Sequence, residues 1–440
     1  MTRDVPKPMA FAAAGPLRGT AAVPGDKSIS HRALMLAAMA RGRSRIDGLS
    51  EGTDVGATAD ALRAMGAGVA REPDGSWSVD GVGTGCLVAP ARALDMGNSG
   101  TSTRLLIGLL AAHNVTATFT GDASLCRRPM DRVIAPLARL GVQVSASAGG
   151  RLPLTLRGRT PLVPATHRLT IASAQVKSAL LLAGLNTPGI TRVIEPAATR
   201  DHSERMLRRF GAEIDTAGDG ERHIALRGEA ELRPQIISIP ADPSSAAFLV
   251  AAALIVPGSE VRIEGVGVNP MRIGLFEMLR HMGADIAFSN GREAGGEPVA
   301  DLVARHSALR AVDVPPEIVP AMIDEFPILF VAAAFASGTT RTTGLSELRV
   351  KESDRIGAMA AGLRAIGAAV EEQEDGLTIR GSGGDPLAGG ASIDPRLDHR
   401  IAMAFAIAAL HCSAPVTIRD MAAADTSFPG FAAALKGLSL

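Results

Sequence analysis

Apolar and polar residues follow each other along this chain in a pattern that recurs at a nearly constant interval. A helix end of the form Leu-x-x-apolar-Gly-Ala begins at residues 62, 207, 279 and 363, a copy with Gly-Val in place of Gly-Ala begins at residue 137, and a weaker copy begins at residue 435. Successive copies are 75, 70, 72, 84 and 72 residues apart. Each glycine stands where a helix needs a left-handed residue to end, so the pattern predicts a helix before each copy and, in most cases, an extended stretch after it.

A second series of segments runs out of phase with the first. Each segment starts with polar residues and continues as an apolar, alanine-rich stretch; the starts lie at 28–32, 101–104, 173–177, 242–245, 324–326 and 398–400. Stretches that are apolar nearly all round predict buried helices, whereas the helices of the first series carry more charge and should face solvent on one side. Together the two series define a unit of about 72 residues, with two helices and several short strands, repeated six times. The simplest packing is three units in each of two domains, although Leu-x-x-apolar-Gly-Ala could also be only a common helix ending.

The starts of the predicted buried helices carry polar and basic side chains. A helix N-terminus presents free N–H groups and a partial positive charge, which together favour anions. The residues concerned are Lys27, Ser28, Arg32, Arg104, Ser173, Gln175, Lys177, His399 and Arg400. If three such ends from each domain face one cleft, the protein gains a cationic pocket suited to phosphate and carboxylate groups.

Composition restricts the class of function. Lys+Arg and Asp+Glu both number 45, so no overall charge favours nucleic acid or an anionic membrane. Aromatic residues make up only 3%, which argues against a platform for stacking bases. Three widely spaced cysteines predict neither a disulfide framework nor a zinc site and indicate a reducing compartment. Without a signal-peptide core or a membrane-length apolar run, the expected location is the cytoplasm.

Three glycine-rich or basic motifs are candidate anion sites. In Pro24–Arg32, written PGDKSISHR, we expect a Pro-Gly turn, a point charge at Lys27, a helix cap at Ser28 and Arg32 on the same helix face. The small residues at 97–104 would let backbone approach a ligand closely. The segment 121–132 contains three arginines, of which Arg128 should be held extended by Pro129. The alternatives are a plain capped helix, an ordinary turn and a solvated basic face.

Two further stretches contain candidate acids and bases. Asp324 and Glu325 open a predicted buried helix, a place that favourable dipole capping alone could explain. Residues 348–355, LRVKESDR, gather charged and polar side chains around one turn. The alternative for that stretch is a salt-bridged surface helix.

These motifs, taken in order, resemble the 5-enolpyruvylshikimate-3-phosphate synthase family over essentially the whole chain. The matching segments are PGDKSISHR (24–32), GNSGTSTR (97–104), RRPM (127–130), SAQVKSALLLAGL (173–185), TRDHSE (199–204), DEFP (324–327), LRVKESDR (348–355) and DHRIAM (398–403). The resemblance implies an α/β fold of two similar domains, each built from three βαβαββ units as an inside-out α/β barrel, with a cleft between them. It also implies that the chain crosses twice between the domains. We expect the N-terminal domain to comprise residues 23–241 and the C-terminal domain to comprise residues 1–22 and 242–440.

Details of the motifs resemble the second sequence class of this family. Ser173-Ala174-Gln175 occurs together with Arg200-Asp201-His202-Ser203-Glu204. Members of that class often tolerate glyphosate and some carry Ala where this chain keeps Gly100, so Gly100 should leave room for glyphosate beside the first substrate. Some members outside the class carry a Lys, a contact to phosphoenolpyruvate, where this chain has Thr426.

The resemblance implies transfer of the enolpyruvyl group of phosphoenolpyruvate to the 5-hydroxyl of shikimate 3-phosphate, by addition and then elimination of phosphate, on the pathway to chorismate. Acid–base groups and dense positive charge suffice for this chemistry, so no cofactor and no metal are expected. The acid/base candidates are Asp324 and Glu352, with Lys351 and Lys27 assisting. The implied contacts to shikimate 3-phosphate are Lys27, Ser28, Arg32, Ser173, Ala174, Gln175, Arg200, Asp324 and Lys351. The implied contacts to phosphoenolpyruvate are Lys27, Gly100, Arg128, Gln175, Arg355 and Arg400.

Other functions stay open at this stage. The sister enzyme that transfers enolpyruvyl to UDP-N-acetylglucosamine shares the fold, but it usually carries a reactive Cys five residues before an Arg-Pro pair. Here that position is Ala123, and Cys126 lies two residues before Arg128. A different class would be a non-catalytic anion-binding repeat protein or a cyclase built on similar units; the pair Asp324 and Glu352, with the arginines, argues against a non-catalytic protein. The expected partners are the two small-molecule substrates, with neither nucleic acid nor membrane, and the expected state is a monomer.

The cationic residues implied at the site come from both halves of the chain, which predicts a measurable closure. Like charges in an open cleft repel, so an anionic substrate should draw the domains together. Shikimate 3-phosphate is therefore expected to reduce the radius of gyration in small-angle scattering. An unchanged radius at saturating ligand would count against closure.

Overall fold

The computed structural model describes residues 6–218 and 220–438. The chain divides into two compact units. The N-unit comprises Gly25–Ile239 and Ala294–Glu297, and the C-unit comprises Met1–Pro24, Pro240–Glu293 and Pro298–Leu440. The predicted crossings at 22/23 and 241/242 thus fall two residues from the observed ones. The excursion at 294–297 was not predicted, because nothing in its sequence marks a return to the N-unit.

The helices follow the two predicted series. In chain order they are α1 (Lys27–Met39), α2 (Thr53–Ala64), α3 (Gly100–Ala111), α4 (Asp131–Ala138), α5 (Ala174–Leu185), α6 (His202–Arg209), α7 (Pro243–Ile255), α8 (Gly274–His281), α9 (Val319–Met322), α10 (Phe326–Phe335), α11 (Arg355–Ala365), α12 (His399–Ala409) and α13 (Phe431–Lys436). Short 3₁₀ turns lie at Leu125–Arg127, Pro316–Ile318, Ser346–Val350 and Met421–Thr426. The alanine-rich helices α1, α3, α5, α7, α10 and α12 form the buried centres, as expected from their apolar surfaces; every residue of α7 and α10 is buried.

Short strands connect the helices. They are β1 (Met9–Phe11), β2 (Arg18–Ala21), β3 (Arg41–Asp47), β4 (Gly68–Arg71), β5 (Trp77–Val82), β6 (Leu94–Asp95), β7 (Thr116–Thr120), β8 (Gln143–Ser147), β9 (Arg151–Arg157), β10 (Thr166–Arg168), β11 (Ile190–Glu195), β12 (Ile214–Ala217), β13 (Arg222–Arg227), β14 (Ile236–Ser238), β15 (Glu260–Gly267), β16 (Asp285–Ala294), β17 (Glu297–Arg305), β18 (Thr339–Arg341), β19 (Ala369–Gln373), β20 (Gly376–Arg380), β21 (Leu387–Gly389), β22 (Ser392–Ile393), β23 (Cys412–Ala414) and β24 (Val416–Ile418).

The N-unit contains three sheets with the same topology. Their strand orders are β14-β3-β5-β4, β6-β7-β9-β8 and β10-β11-β13-β12. In each sheet the first pair is parallel and the other two are antiparallel. Helices α3 and α4 interrupt β6, β7 and β8 in the order βαβαββ, which confirms the predicted repeat.

The C-unit repeats this plan with help from the N-terminus. Strand β2 pairs parallel with β15, and β1 pairs antiparallel with β24, whose parallel partner is β22. Strand β20 pairs antiparallel with both β18 and β19. The strand before each crossing stays in the unit it leaves, since β2 precedes α1 in sequence but belongs to the C-unit, and β14 precedes α7 but belongs to the N-unit. Each unit encloses its own hydrophobic core.

The glycines of the first sequence series end their helices as predicted. Gly66, Gly141, Gly211, Gly283 and Gly367 all have φ between +90° and +99°. A strand begins within three residues after each of them. An L side chain is disfavoured in this conformation, so glycine is required by the backbone at these places.

Among the described residues, no single helix is long and apolar enough to cross a bilayer. A bent pair, Pro316–Met322 with Phe326–Phe335, reaches that length and composition together, and its second member is the buried helix α10.

Gly211 and Gly56 form a matched pair for testing the helix-ending role. Neither would bring a Cβ within 4 Å of another group, but Gly211 has φ +97° and Gly56 lies inside α2. We expect Gly211→Ala to lower the free energy of unfolding by about 1–2 kcal/mol because of left-handed strain. Gly56→Ala should raise it by about 0.5–1 kcal/mol. Thermal unfolding midpoints that move in the same direction for both variants would contradict the assignment.

Candidate active site

The first candidate motif forms the start of α1 in the N-unit. Asp26, and not Ser28 as predicted, caps the helix: its Oδ1 accepts from the N–H of Ile29 at 2.9 Å. Both residue types cap helices well, and the helix is capped two residues earlier than expected. Lys27, whose side chain is 16% exposed, forms an ion pair with the carboxylate of Asp54 in the first turn of α2.

Arg32 lies one turn further along α1 and ties three segments together. Its guanidinium donates from Nη1 to the carbonyl of Ser28 at 2.9 Å, from Nε to Ser203 Oγ at 2.7 Å and from Nη2 to Ser178 Oγ at 2.7 Å. Ser178 belongs to α5 and Ser203 to α6. Arg32 is only 5% exposed, so its direction is fixed by these bonds.

The second motif brings two arginines against a glycine at the start of α3. Ser99 caps this helix, accepting from the N–H of Ser102 at 3.2 Å. A Cβ on Gly100 would lie 2.9 Å from Arg104 Nη1 and 3.0 Å from Arg128 Nη1, so glycine is what allows both guanidinium groups to approach. Arg128 is 4% exposed, has the predicted extended backbone (φ −82°, ψ 130°) and donates to Asn98 Oδ1 at 2.5 Å.

The start of α5 joins this group through Gln175. Ser173 caps α5, as its place at a helix start suggested, by accepting from the N–H of Val176 at 3.4 Å. Gln175 accepts from Arg104 Nη1 at 2.9 Å and donates to Thr101 Oγ1 at 2.9 Å. Ala174 is the first residue of the helix. The amide of Gln175 therefore lies between the first turns of α3 and α5.

Lys177 differs from its predicted position in the cationic pocket. It is fully buried, and its Nζ lies 2.9 Å from Glu195 Oε2 and 2.8 Å from Glu204 Oε1. Its complete burial, and not its spacing from Ser173, shows that it lies on the face of α5 that packs inside the unit. Arg200, which is half-buried, lies between β11 and α6 in the segment that Lys177 contacts.

The candidate acids and bases gather around one guanidinium in the C-unit. Arg355 is 1% exposed and bonds Asp398 Oδ2 through Nε at 2.8 Å, Glu352 Oε2 through Nη2 at 2.6 Å and Asp324 Oδ1 through Nη1 at 3.3 Å. Burial acts to lower the pKa of Arg355, but the carboxylates of Asp398, Glu352 and Asp324 outweigh it and raise the pKa above its usual value. Asp324 and Glu352 are thus held by one permanent cation.

Lys351 and Arg400 complete this group. Lys351 Nζ lies 3.4 Å from Asp324 Oδ1. Arg400 donates from Nη1 to the carbonyl of Asp324 at 2.7 Å and lies 3.2 Å from Glu325 Oε1. The stretch 348–355 is not the surface helix considered as an alternative, because a 3₁₀ turn ends at Val350 and α11 begins only at Arg355.

The predicted site residues therefore fall into two groups of neighbours. The N-unit group comprises Lys27, Ser28, Arg32, Gly100, Arg128, Ser173, Ala174, Gln175 and Arg200. The C-unit group comprises Asp324, Lys351, Glu352, Arg355 and Arg400. Thr426 lies in the C-unit, where its hydroxyl donates to the carbonyl of Ala423 at 3.0 Å.

Several residues of these groups were missed by sequence reasoning. Asp54 pairs with Lys27 across 27 positions, and Asp398 anchors Arg355 across 43. Asp398 could have been found, since it starts a helix of the second series; Asp54 gave no signal, because spacing does not tell which helices adjoin. Ser178 and Ser203 were hidden inside helices.

Within residues 6–218 and 220–438, one group of side chains is spaced to hold a cation. Asp201, His202 and Glu297 place potential ligand atoms within 4.8 Å of one another. His202 Nδ1 lies 2.7 Å from Glu297 Oε1, and Arg205 Nε lies 2.9 Å from Asp201 Oδ2 and 3.9 Å from Glu297 Oε2. The guanidinium of Arg205 already supplies positive charge here. These residues therefore form an ion-pair network that holds the 294–297 turn against α6.

The fold and the two groups of side chains define a class, the enolpyruvyl transferases. The crystal structure of the enolpyruvyl transferase NikO from Streptomyces tendae aligns with 99% of this chain and 98% of its own at a TM-score of 0.79, with 22% identity. That likeness concerns the fold alone. EPSP synthase from Acinetobacter baumannii aligns at a TM-score of 0.86 and 45% identity, over 98% of both chains.

The sequence comparisons define the family. The family model described as EPSP synthase (3-phosphoshikimate 1-carboxyvinyltransferase) matches residues 11–435. Two relatives named 3-phosphoshikimate 1-carboxyvinyltransferase are each 62% identical to this chain. The alignment with the protein from Sphingopyxis alaskensis covers 100% of both chains. The alignment with the protein from Novosphingobium aromaticivorans covers 98% of this chain and 99% of the relative. The chain belongs to the EPSP synthase family. The predicted fold and transferase activity are confirmed, and the UDP-N-acetylglucosamine and non-catalytic alternatives are not supported.

His31 gives a pH-dependent test of the packing behind Lys27 and Arg32. Burial lowers the pKa of His31 well below 6.5, and the charges of Lys27 and Arg32 lower it further against an opposing effect of Asp26. The ring is neutral in the folded state, with Nδ1 2.8 Å from Thr58 Oγ1.

Below pH 6.5 the unfolded chain therefore binds more protons than the folded chain. The free energy of unfolding decreases there as the pH is lowered. The stability advantage of the native protein over His31→Gln should shrink by up to about 1.4 kcal/mol per pH unit as pH drops below 6.5. The advantage should be level above pH 7.5. An advantage that stays constant down to pH 5.5 in urea unfolding would contradict this assignment.

Proposed function

We propose that the N-unit group binds the anionic substrates and that the C-unit group performs the proton transfers of this family's reaction. Lys27, Ser28, Arg32, Ser173, Ala174, Gln175 and Arg200 hold shikimate 3-phosphate, with Asp324 and Lys351 contributing from the C-unit. Lys27, Gly100, Arg128, Gln175, Arg355 and Arg400 hold phosphoenolpyruvate.

The N-unit group suits phosphate for two physical reasons. Three capped helices, α1, α3 and α5, begin among its members, and helix starts favour anions through free N–H groups and their dipoles. Arginine and lysine side chains add charge that is already oriented by hydrogen bonds, so little order is lost on binding.

The arrangement of Asp324 and Glu352 on Arg355 is the observation that carries this proposal. Both carboxyl groups are partly exposed, at 18% and 19%, while the guanidinium that holds them is buried. A carboxyl group that is oriented by a buried hydrogen-bond donor and is also exposed to solvent on its other side can exchange a proton with a bound substrate. Lys351, next to Asp324, assists the same transfers.

The reaction has two halves, an addition and an elimination. The 5-hydroxyl oxygen bonds to C2 of phosphoenolpyruvate and loses its proton, while C3 gains one. The intermediate then loses phosphate from C2 and a proton from C3, which leaves the enol ether. Asp324 and Glu352 together supply one acceptor and one donor in each half of this sequence.

Acceptor choice tests the function itself. The purified protein should release phosphate from phosphoenolpyruvate when shikimate 3-phosphate is added. It should release none with UDP-N-acetylglucosamine. Release with the nucleotide sugar alone would overturn the proposal.

Neutralising either carboxyl group should suppress the chemical step. Glu352→Gln and Asp324→Asn keep the shape and still accept a bond from Arg355, so folding should be retained. Each should lower kcat by about 10²–10⁴-fold, the usual contribution of a positioned acid or base. Steady-state kinetics and incorporation of solvent deuterium at C3 of phosphoenolpyruvate measure the loss.

Glu372→Gln is the matched control. Glu372 lies on β19 of the same unit and pairs with Arg349 at 2.9 Å on the surface, so the same chemical change should leave kcat unaltered. A normal kcat in either site variant would refute its acid/base role.

The location and assembly state belong to the same proposal. The cysteines Cys86, Cys126 and Cys412 are all free thiols, which fits the reducing cytoplasm. We propose a monomer, since each group of site residues is assembled within one chain. Sedimentation at micromolar concentration tests this.

A further inference from the structure

A fully buried ion cluster lies behind the N-unit group and takes no part in the function proposed above. It consists of Lys177 from α5, Glu195 from the end of β11 and Glu204 from α6. The three side chains are 0%, 0% and 2% exposed, and Lys177 Nζ is 2.9 Å from Glu195 and 2.8 Å from Glu204. We call these residues the Lys177 triad.

Stability alone does not account for such a cluster. Removing an ammonium and two carboxylates from water is unfavourable, and well-packed apolar side chains of similar volume are often as stable or more stable. What a buried ionic cluster provides that apolar packing does not is a defined geometry, because its bonds form only in one arrangement.

The geometry defined here is that of the segment between β11 and α6. The Thr199 carbonyl accepts from Lys177 Nζ at 3.3 Å, and the Thr199 hydroxyl bonds the Glu195 carboxylate. On the other side of Arg200, Ser203 Oγ bonds Arg32 Nε and Ser178 Oγ, each at 2.7 Å. Residues before and after Arg200 are therefore fastened to α5 and α1.

The same helix, α5, begins with Ser173, Ala174 and Gln175, the residues proposed to contact shikimate 3-phosphate. Lys177 lies one turn behind them. Its hydrogen bonds to Glu195 and the Thr199 carbonyl, and its ion pair with Glu204, link the start of α5 to the Arg200 segment from inside. Two parts of one binding surface thus share a rigid support.

We propose that the Lys177 triad is a positioning unit that sets Arg200 against the start of α5 for recognition of shikimate 3-phosphate. This inference rests on the function proposed above. The triad does not touch substrate; it acts through Arg200. Phosphoenolpyruvate contacts such as Arg128 and Arg400 do not depend on it.

The main test is a variant that removes all three charges and leaves none unpaired, Lys177→Met/Glu195→Gln/Glu204→Gln. We expect the KM and the calorimetric Kd for shikimate 3-phosphate to rise about tenfold or more, as for loss of a preorganised charged contact. The KM for phosphoenolpyruvate and kcat should change by less than about threefold. Glu204→Gln alone, which keeps the pair of Lys177 with Glu195, should shift the same constants in the same direction by a smaller factor.

A mutant cycle with Arg200→Ala separates positioning from general destabilisation. In the native background Arg200→Ala should weaken shikimate 3-phosphate binding about 10–100-fold; in the triple variant its further effect should be under about threefold, because Arg200 is already misplaced. Equal effects in both backgrounds would overturn the proposal. If the triple variant does not fold, the same cycle with Glu204→Gln decides.

Val79→Ala is the matched control for stability. Val79 is fully buried in β5, a strand whose Gly81 packs on the C-terminal end of α1, away from Lys27. This variant should lower the unfolding midpoint without changing the KM for shikimate 3-phosphate. If it raises that KM as much as the triple variant does, the triad proposal fails. If the native protein does not turn over shikimate 3-phosphate at all, the proposed function is refuted. A native protein that is active, with a triad variant that behaves like Val79→Ala, refutes only the positioning role of the triad.

Discussion

The starts of the buried helices are the constraint on which the rest of this structure depends. A helix that lies wholly inside an apolar core still has N–H groups at its first turn that need partners. Side chains supply one partner at five of the six starts, from Asp26, Ser99, Ser173, Asp242 and Asp398. Polar chemistry is therefore concentrated at the same end of each repeat, and six repeats produce two groups of such ends. The function of the family uses what the packing of the helices already demands.

Pairing of charges explains how a protein with no net charge can present strong anion sites. Lys27 faces Asp54, Arg400 faces Glu325, and Arg355 faces three carboxylates. A buried cation without such a partner would be strongly disfavoured. In the function that we propose, a phosphate or carboxylate of the substrate competes with protein carboxylates for cations that are already in place, and binding exchanges one set of charge-assisted bonds for another.

The period of the apolar pattern was sufficient to predict six repeats of two helices each, because left-handed glycines such as Gly66 and buried helices such as α7 have strong local signatures. The βαβαββ order of each repeat was implied by the family resemblance. Local patterns do not distinguish residues that cap equally well, and the cap at Asp26 in place of Ser28 is an example. Lys177 was placed in the pocket because sequence spacing alone did not reveal which helix face is internal. The pair Lys27 and Asp54 depends on which helices adjoin, a property of tertiary packing that no local pattern contains.

The repeats of the two units carry different side chains at their helix starts. In the N-unit, the starts of α3 and α5 offer hydroxyl and amide groups beside arginines, as at Gln175 and Arg104, a set suited to holding anions. In the C-unit, the starts of α7, α10 and α12 offer carboxylates: Asp242 bonds Arg272, Glu325 contacts Arg400 and Asp398 bonds Arg355. Those carboxylates keep the arginines fixed, and Arg355 in turn presents Asp324 and Glu352. At α3 and α5 a hydroxyl, and at α7 and α12 a carboxylate, accepts from an N–H group of the first turn, so the exchange of hydroxyl for carboxylate changes the chemistry of the repeat while the helix start stays capped.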